Sequence, residues 1–151
     1  MREPLAIYAT ALRRAAAGGG ARLHLVGPGG TTVRRVDPAI WCGDLRPGEG
    51  RWRHALLVDG NIGIGGDPAR LLRRCRQLVG TAGALLVEVE PPGVASWRGE
   101  LALADGVLVS TTFPWAFVGA DALAALAATA ALRVLERWTE AKRWFATLGA
   151  A

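Results

Sequence analysis

Lysine is nearly missing from this chain of 151 residues: of its 18 basic side chains only Lys142 is not an arginine. Alongside many alanines and glycines, that reads as codon bias. The arginines are dispersed from Arg2 to Arg143, apart from Arg70, Arg73, Arg74 and Arg76 on one helical stretch, where a solvated face accounts for them. A formal net charge of +5 therefore gives no focused basic patch, and no nucleic-acid partner is expected. Cysteine is equally scarce. Cys42 and Cys75 lack a metal-ligand spacing and make a poor disulfide framework, so both are expected as buried thiols. His24 and His54 are the only histidines; with Ser96 and Ser110 they build no nucleophile–base–acid set, and no metal site is expected. No apolar run is long enough to span a bilayer, and the first residues carry no signal-type apolar segment. The expectation is a cytoplasmic protein with no membrane partner.

What is present is a core. Hydrophobic residues make up 51% of the chain, enough for one domain over residues 1–151. Residues 4–16 predict a helix, with Leu5, Tyr8, Leu12 and Ala16 at helical spacing. RLHLV, GPGG and TTVRRV over 22–36 predict a hairpin. Residues 37–53 are a connecting segment. HALLVD at 54–59 is a buried strand, followed by the loop GNIGIGG and a helix that Asp67 caps and Pro68 begins. Leu71, Leu72, Cys75, Leu78 and Val79 form its apolar stripe. GALLVEVE at 83–90 is a second strand, giving a βαβ unit with parallel neighbours. Asp105-Gly106 predicts a hairpin over 100–110, FPW a loop, and Asp121 the cap of a helix to about 130. The tail at 132–148 fits strand and helix periodicity alike.

Ligands in open α/β sheets lie beyond the carboxyl ends of the strands. That places Asp59 and Asn61 after the first strand, and Glu88 and Glu90 at the end of the second, as candidate catalytic residues. Glu88 and Glu90 are two apart and share a strand face, so one could act as acid and the other as base; ion pairing with arginines is the competing reading. The glycine loop fails the dinucleotide fingerprint, because Pro68 stands where a glycine is required, and it lacks the Lys-Ser/Thr of a P-loop. Gly60 and Gly63 would still permit close approach of a ligand backbone. Phe113, Trp115 and Phe117 bunch together and are expected as the apolar wall of a substrate pocket, whereas core packing accounts for Trp138 and Trp144.

From residue 45 onward, LRPGEGRWRHALLVDGNIGIGGDPARLLRRC, GALLVEVEPPG, FPWAFVGADALAALA and RWFATL resemble actinobacterial class I SAM-dependent methyltransferases. IYATALR through RVDPAIWCGD is similar to the lead-in of that family. The resemblance implies an α/β fold: a truncated, Rossmann-like (class I methyltransferase-like) sheet with a parallel βαβ core. An N-terminal helix plus hairpin over 1–44 precedes the methyltransferase-like half over 45–151. It also favours a closing antiparallel strand pair for the tail. Such enzymes place a glycine-rich cofactor loop after their first strand and an acidic ribose ligand after the second. Here IWCGD runs almost directly into LRPGEGRW, and RLHLVGPGG is the nearest imitation of that loop, without its acid.

The function expected from this is a methyltransferase-like small-molecule-binding protein without a complete SAM site, acting on a small apolar or polycyclic molecule. Cofactor-independent tailoring of a natural product, of the cyclase type, is one form of it. No resident cofactor is then expected, and Gly60 and Gly63 become cofactor contacts only where SAM binds. Two alternatives stand beside it: a SAM-dependent methyltransferase whose site a second copy completes, and a non-catalytic partner of a full-length methyltransferase. Loss of the first strands would bare the edge of the 54–59 strand, which either the 22–36 hairpin or another copy then covers; a homodimer through that edge is expected.

Overall fold

A computed structural model of the chain describes residues 50, 52–102, 104 and 109–151, together with the backbone of Leu23–Val26. The helix expected over 4–16, the second run of the 22–36 hairpin and Cys42 lie outside these residues.

The βαβ unit is as the sequence predicts. Strand β2 (His54–Leu57) is buried along its whole length and pairs in parallel with β3 (Ala84–Val89), with Leu56 opposite Leu86. Helix α1 (Pro68–Val79) joins them. The Asp67 carboxylate accepts the Arg70 N–H at 3.0 Å, which satisfies one of the unpaired amides of the first turn. The helix buries Leu71, Leu72, Cys75, Leu78 and Val79 and stops at Gly80, whose φ of 68° suits a residue without a Cβ.

Strand β1 (Leu23–Val26), the first run of the expected hairpin, takes the edge of β2. It lies alongside β2 in parallel, Leu23 opposite His54 and Val26 opposite Leu57. β2 is apolar on both faces and needs such a neighbour. The edge of β2 is therefore covered within the chain, and the stated basis for a homodimer through that edge is gone.

The tail resolves as strands. β6 (Leu132–Glu140) and β7 (Arg143–Ala150) form an antiparallel hairpin, with a bulge between Val134 and Glu136, and β7 pairs antiparallel with β3. The full order is β1-β2-β3-β7-β6. Ala141 and Lys142 form the two-residue turn, both with positive φ (49° and 63°), the twist that tight hairpins require. A separate two-stranded sheet pairs β4 (Trp97–Leu101) with β5 (Phe113–Phe117), and an isolated antiparallel bridge joins Ala104 to Val109; the turn expected at Asp105-Gly106 lies outside the described residues. The expected FPW loop is thus a strand; Pro114 is tolerated because both strands of a two-stranded sheet are edges. Helix α2 (Leu123–Ala128) is shorter than expected. Asp121 does not cap it; its carboxylate accepts the Gly93 N–H at 2.7 Å and pins the loop after β3.

The main core lies between one face of the five-stranded sheet and helices α1 and α2. Leu57, Leu85, Val87 and Leu148 meet Leu72, Cys75 and Leu123 there, all fully buried. Each such leucine contributes about 2 kcal/mol by its removal from water.

Candidate functional site

Because β1, β2 and β3 run in parallel, their carboxyl ends share one edge of the sheet. The chain leaves β2 through Asp59, whose φ of 57° is costly for a residue with a Cβ, and Gly60 at 73°. Three contacts hold Asp59 in this conformation. Its N–H donates to Glu88 Oε2 at 2.7 Å, and its Oδ1 accepts from Arg143 Nη2 at 2.7 Å. Arg143 Nε in turn donates to Glu88 Oε1 at 2.5 Å. Charge-assisted bonds of this kind are about twice as strong as neutral ones. Both oxygens of Glu88 are therefore committed, and its side chain is only 12% exposed against 54% for Asp59.

Arg143 is the residue that the sequence did not reveal. It lies 55 positions from Glu88 and comes to it only through the pairing of β7 on β3, which sets Glu88 opposite Phe145. Glu90 sits further along the same strand face. Its N–H donates to the Val118 carbonyl at 2.8 Å and its own carbonyl accepts the Ala120 N–H at 3.0 Å, so the segment after β5 is tied to the end of β3.

The glycine loop, Asn61–Gly66, forms two 3₁₀ turns broken at Ile64 and Gly65. Asn61, Ile62 and Gly63 are buried. Packing against β5 accounts for the glycines. A Cβ on Gly63 would fall inside the Ala116 carbonyl, and one on Gly66 would meet Pro114 Cβ at 3.0 Å. Gly60 alone faces the candidate site; a Cβ there would lie 3.7 Å from the Trp115 ring. The loop thus turns a corner and lays its backbone on β5.

The structure places four of the nine expected residues at one cleft. Gly60, Glu88, Glu90 and Phe117 line one cleft with Ile62, Val89, Ala116 and Val118. Trp115 packs edge-on to Phe113, with ring centroids 6.0 Å apart, and Phe117 is tilted on Trp97 at 5.8 Å. The cleft itself encloses about 20 Å³, room for a water rather than a ligand. Anything larger has to lie over the strand ends. Asp59 and Glu88 share the Arg143 guanidinium, and Glu90 adds a further carboxylate at the cleft wall, so among these residues the local charge favours a cationic group.

A larger space of about 670 Å³ opens on the other side of the β3 end, lined by Pro92, Ala120, Asp121, Arg137, Trp138, Thr139 and Trp144. The core packing expected of both tryptophans is only part of their environment: Trp138 stacks on Phe145 at 5.4 Å and Trp144 packs against the core, while both are half-buried and border the groove.

The remaining titratable candidates are structural. His54 is buried at the amino end of β2, opposite the candidate site, and burial followed by the Arg53 charge lowers its pKa below 6.5. Burial pushes the Cys75 thiol up to about 12, partly opposed by Arg74, which leaves it unreactive at neutral pH. No group of His, Cys, Asp and Glu among the described residues could hold a metal ion, and no helix among them is long and apolar enough to cross a membrane.

No protein-family profile and no curated protein matches the chain. Solved structures do match in fold. The CcbJ methyltransferase from Streptomyces caelestis aligns with a TM-score of 0.63 at 15% identity, over 99% of this chain and 97% of that one. The 1,6-didemethyltoxoflavin-N1-methyltransferase of Burkholderia thailandensis, solved with 1,6-didemethyltoxoflavin and S-adenosylhomocysteine, aligns at 0.60 and 16% identity over 99% and 80%. A SAM-dependent methyltransferase from Bacteroides fragilis, in complex with S-adenosylhomocysteine, aligns at 0.50 and 18% over 66% of this chain; the chain spans 48% of that protein's length. The fold is thus the Rossmann-like fold of the methyltransferases.

Proposed function

We propose that this chain binds SAM over the carboxyl ends of β1, β2 and β3 and passes its methyl group to a small molecule. The observation that carries the reading is the placement of β1. Parallel to β2 and next to it, this strand is followed in sequence by Gly27-Pro28-Gly29-Gly30, the nearest imitation in this chain of the family's cofactor loop, without its acid. Asp59 and Gly60 supply the facing wall, and the surplus of carboxylates over Arg143 suits a sulfonium. SAM, when bound, supplies an electrophilic methyl group. The residues of this chain position it: Arg143 and Glu88 hold the strained Asp59 turn in place, and Trp115 and Phe117 form an apolar wall beside it.

A Glu88–Glu90 acid–base pair fits less well. Glu88 has an arginine on one oxygen and a backbone amide on the other, which leaves it no open site for a substrate proton. Glu88 is better read as a positioning residue, which leaves Glu90, on the cleft wall, as the candidate group for a ligand. A second reading keeps one observation in its favour. RLHLVGPGG lacks the acid of the family's cofactor loop, as expected of a cofactor-independent, cyclase-type tailoring protein or of a non-catalytic partner of a full-length methyltransferase. The small molecule is then apolar or polycyclic, and the protein is cytoplasmic in every version.

Calorimetric titration with SAM and S-adenosylhomocysteine separates the readings. Micromolar binding of both supports methyl transfer; no heat at millimolar ligand moves the assignment to the second reading. The homodimer that would complete the site now lacks an open β2 edge to use, and light scattering of the free and SAM-loaded protein reads its assembly directly.

A further inference from the structure

We propose that the groove between the β6–β7 hairpin and the loop after β3 is a binding site for a planar aromatic carboxylate, whether or not SAM binds at the strand ends. Its volume of about 670 Å³ falls within the range of small-molecule sites, about 300–1,000 Å³. The register of the hairpin sets Thr139 opposite Trp144 and Arg137 opposite Ala146, so Arg137, Thr139 and Trp144 project from one face. Pro92, Ala120 and Asp121 border the same space from the loop after β3 and the approach to α2. The apolar walls, an indole and a pyrrolidine ring, suit a flat ring system.

The charges choose the ligand's polar end. Asp121 already accepts the Gly93 N–H, a bond that holds the Pro92 side of the groove in position. Among the described residues, no ion pair or hydrogen bond engages Arg137, and it is exposed on an edge strand. A guanidinium beside an aromatic wall, with no carboxylate of the described residues on it, is matched by a ligand carboxylate that it can grip with two N–H groups. Thr139 adds a hydroxyl at the same face.

The test uses 2-naphthoate and its neutral isostere 2-naphthamide, titrated into the full chain by calorimetry. Naphthoate is expected to bind at least about tenfold more tightly than the amide. Arg137→Gln, a change on an exposed strand position, is expected to bring naphthoate down to the level of the amide and to leave the amide unchanged. Equal affinity of the two ligands overturns the proposal, as does absence of binding by either at millimolar concentration. So does a preference for naphthoate that Arg137→Gln leaves intact. A circular dichroism spectrum of the variant identical to that of the parent keeps these outcomes free of folding effects.

Discussion

Two regions flank the carboxyl end of β3, and they are built in opposite ways. On one side Asp59, Glu88 and Arg143 are knitted by short charge-assisted bonds around a cleft of about 20 Å³. On the other, Trp144, Arg137 and Pro92 border a space of about 670 Å³ with few polar groups committed to one another. The first region spends its polar groups on holding a strained turn in one geometry. The second leaves room and an exposed cation. A site that must present a reactive group needs the former property, and a site that must accept a variable ring system needs the latter.

The comparison can be broken at several points. The largest effect is expected at Gly63, where a Cβ meets rigid β5 backbone. Gly63→Ala should cost about 3 kcal/mol in chemical denaturation, whereas Gly65→Ala, with open space around its Cα, should cost only about 1 kcal/mol through its positive φ. Similar losses at both positions would mean that the loop does not pack on β5 as described.

Next comes the network. Glu88→Ala removes the acceptor of both the Asp59 amide and Arg143, and should destabilise by about 2 kcal/mol. Glu88→Gln, which keeps an acceptor, should lose less stability and retain ligand binding. If Glu88→Gln abolishes turnover while binding and stability are unchanged, Glu88 is an acid–base group after all and the positioning role is wrong.

A smaller effect is expected from His54. Its folded pKa lies below the 6.5 of the unfolded chain, so as pH falls through 6.5 the unfolded state takes up a proton first. Its contribution to stability is complete above that value and declines below it, down through the folded pKa, at no more than about 1.4 kcal/mol per pH unit. Denaturation midpoints between pH 7.5 and 5.5 should show this slope, and His54→Gln should flatten it. The smallest effect is at the β6–β7 turn. Replacing Ala141-Lys142 by Asn-Gly should stabilise the hairpin by about 1 kcal/mol, because both positions have positive φ.

How much of this was legible in the sequence follows the range of the interactions. Helix α1 was fully readable, since Asp67, Pro68 and the stripe from Leu71 to Val79 are local signals. β2, β3 and the shared face of Glu88 and Glu90 were readable for the same reason. β1 was legible as a strand, and the bare edge of β2 named its hairpin as one of two possible covers; the choice between them was not legible, because pairing across some thirty residues leaves no local trace. β5 was hidden by Pro114, which reads as a loop until the strand is known to lie in a two-stranded sheet. Arg143 carried no signal in an arginine-rich chain; only the β3–β7 register picks it out. Trp144 packs against the core as its apolar stretch suggests, but the groove it also borders was not legible, because Pro92, Ala120 and Asp121 reach it from distant parts of the chain.

The most direct test of SAM binding over the strand ends is an amide-detected NMR titration with S-adenosylhomocysteine. The account predicts shifts concentrated at Asp59, Gly60 and Asn61 and at the end of β1, with Arg137, Thr139 and Trp144 unmoved. Shifts confined to the Trp144 groove, or none at saturating ligand, would contradict it.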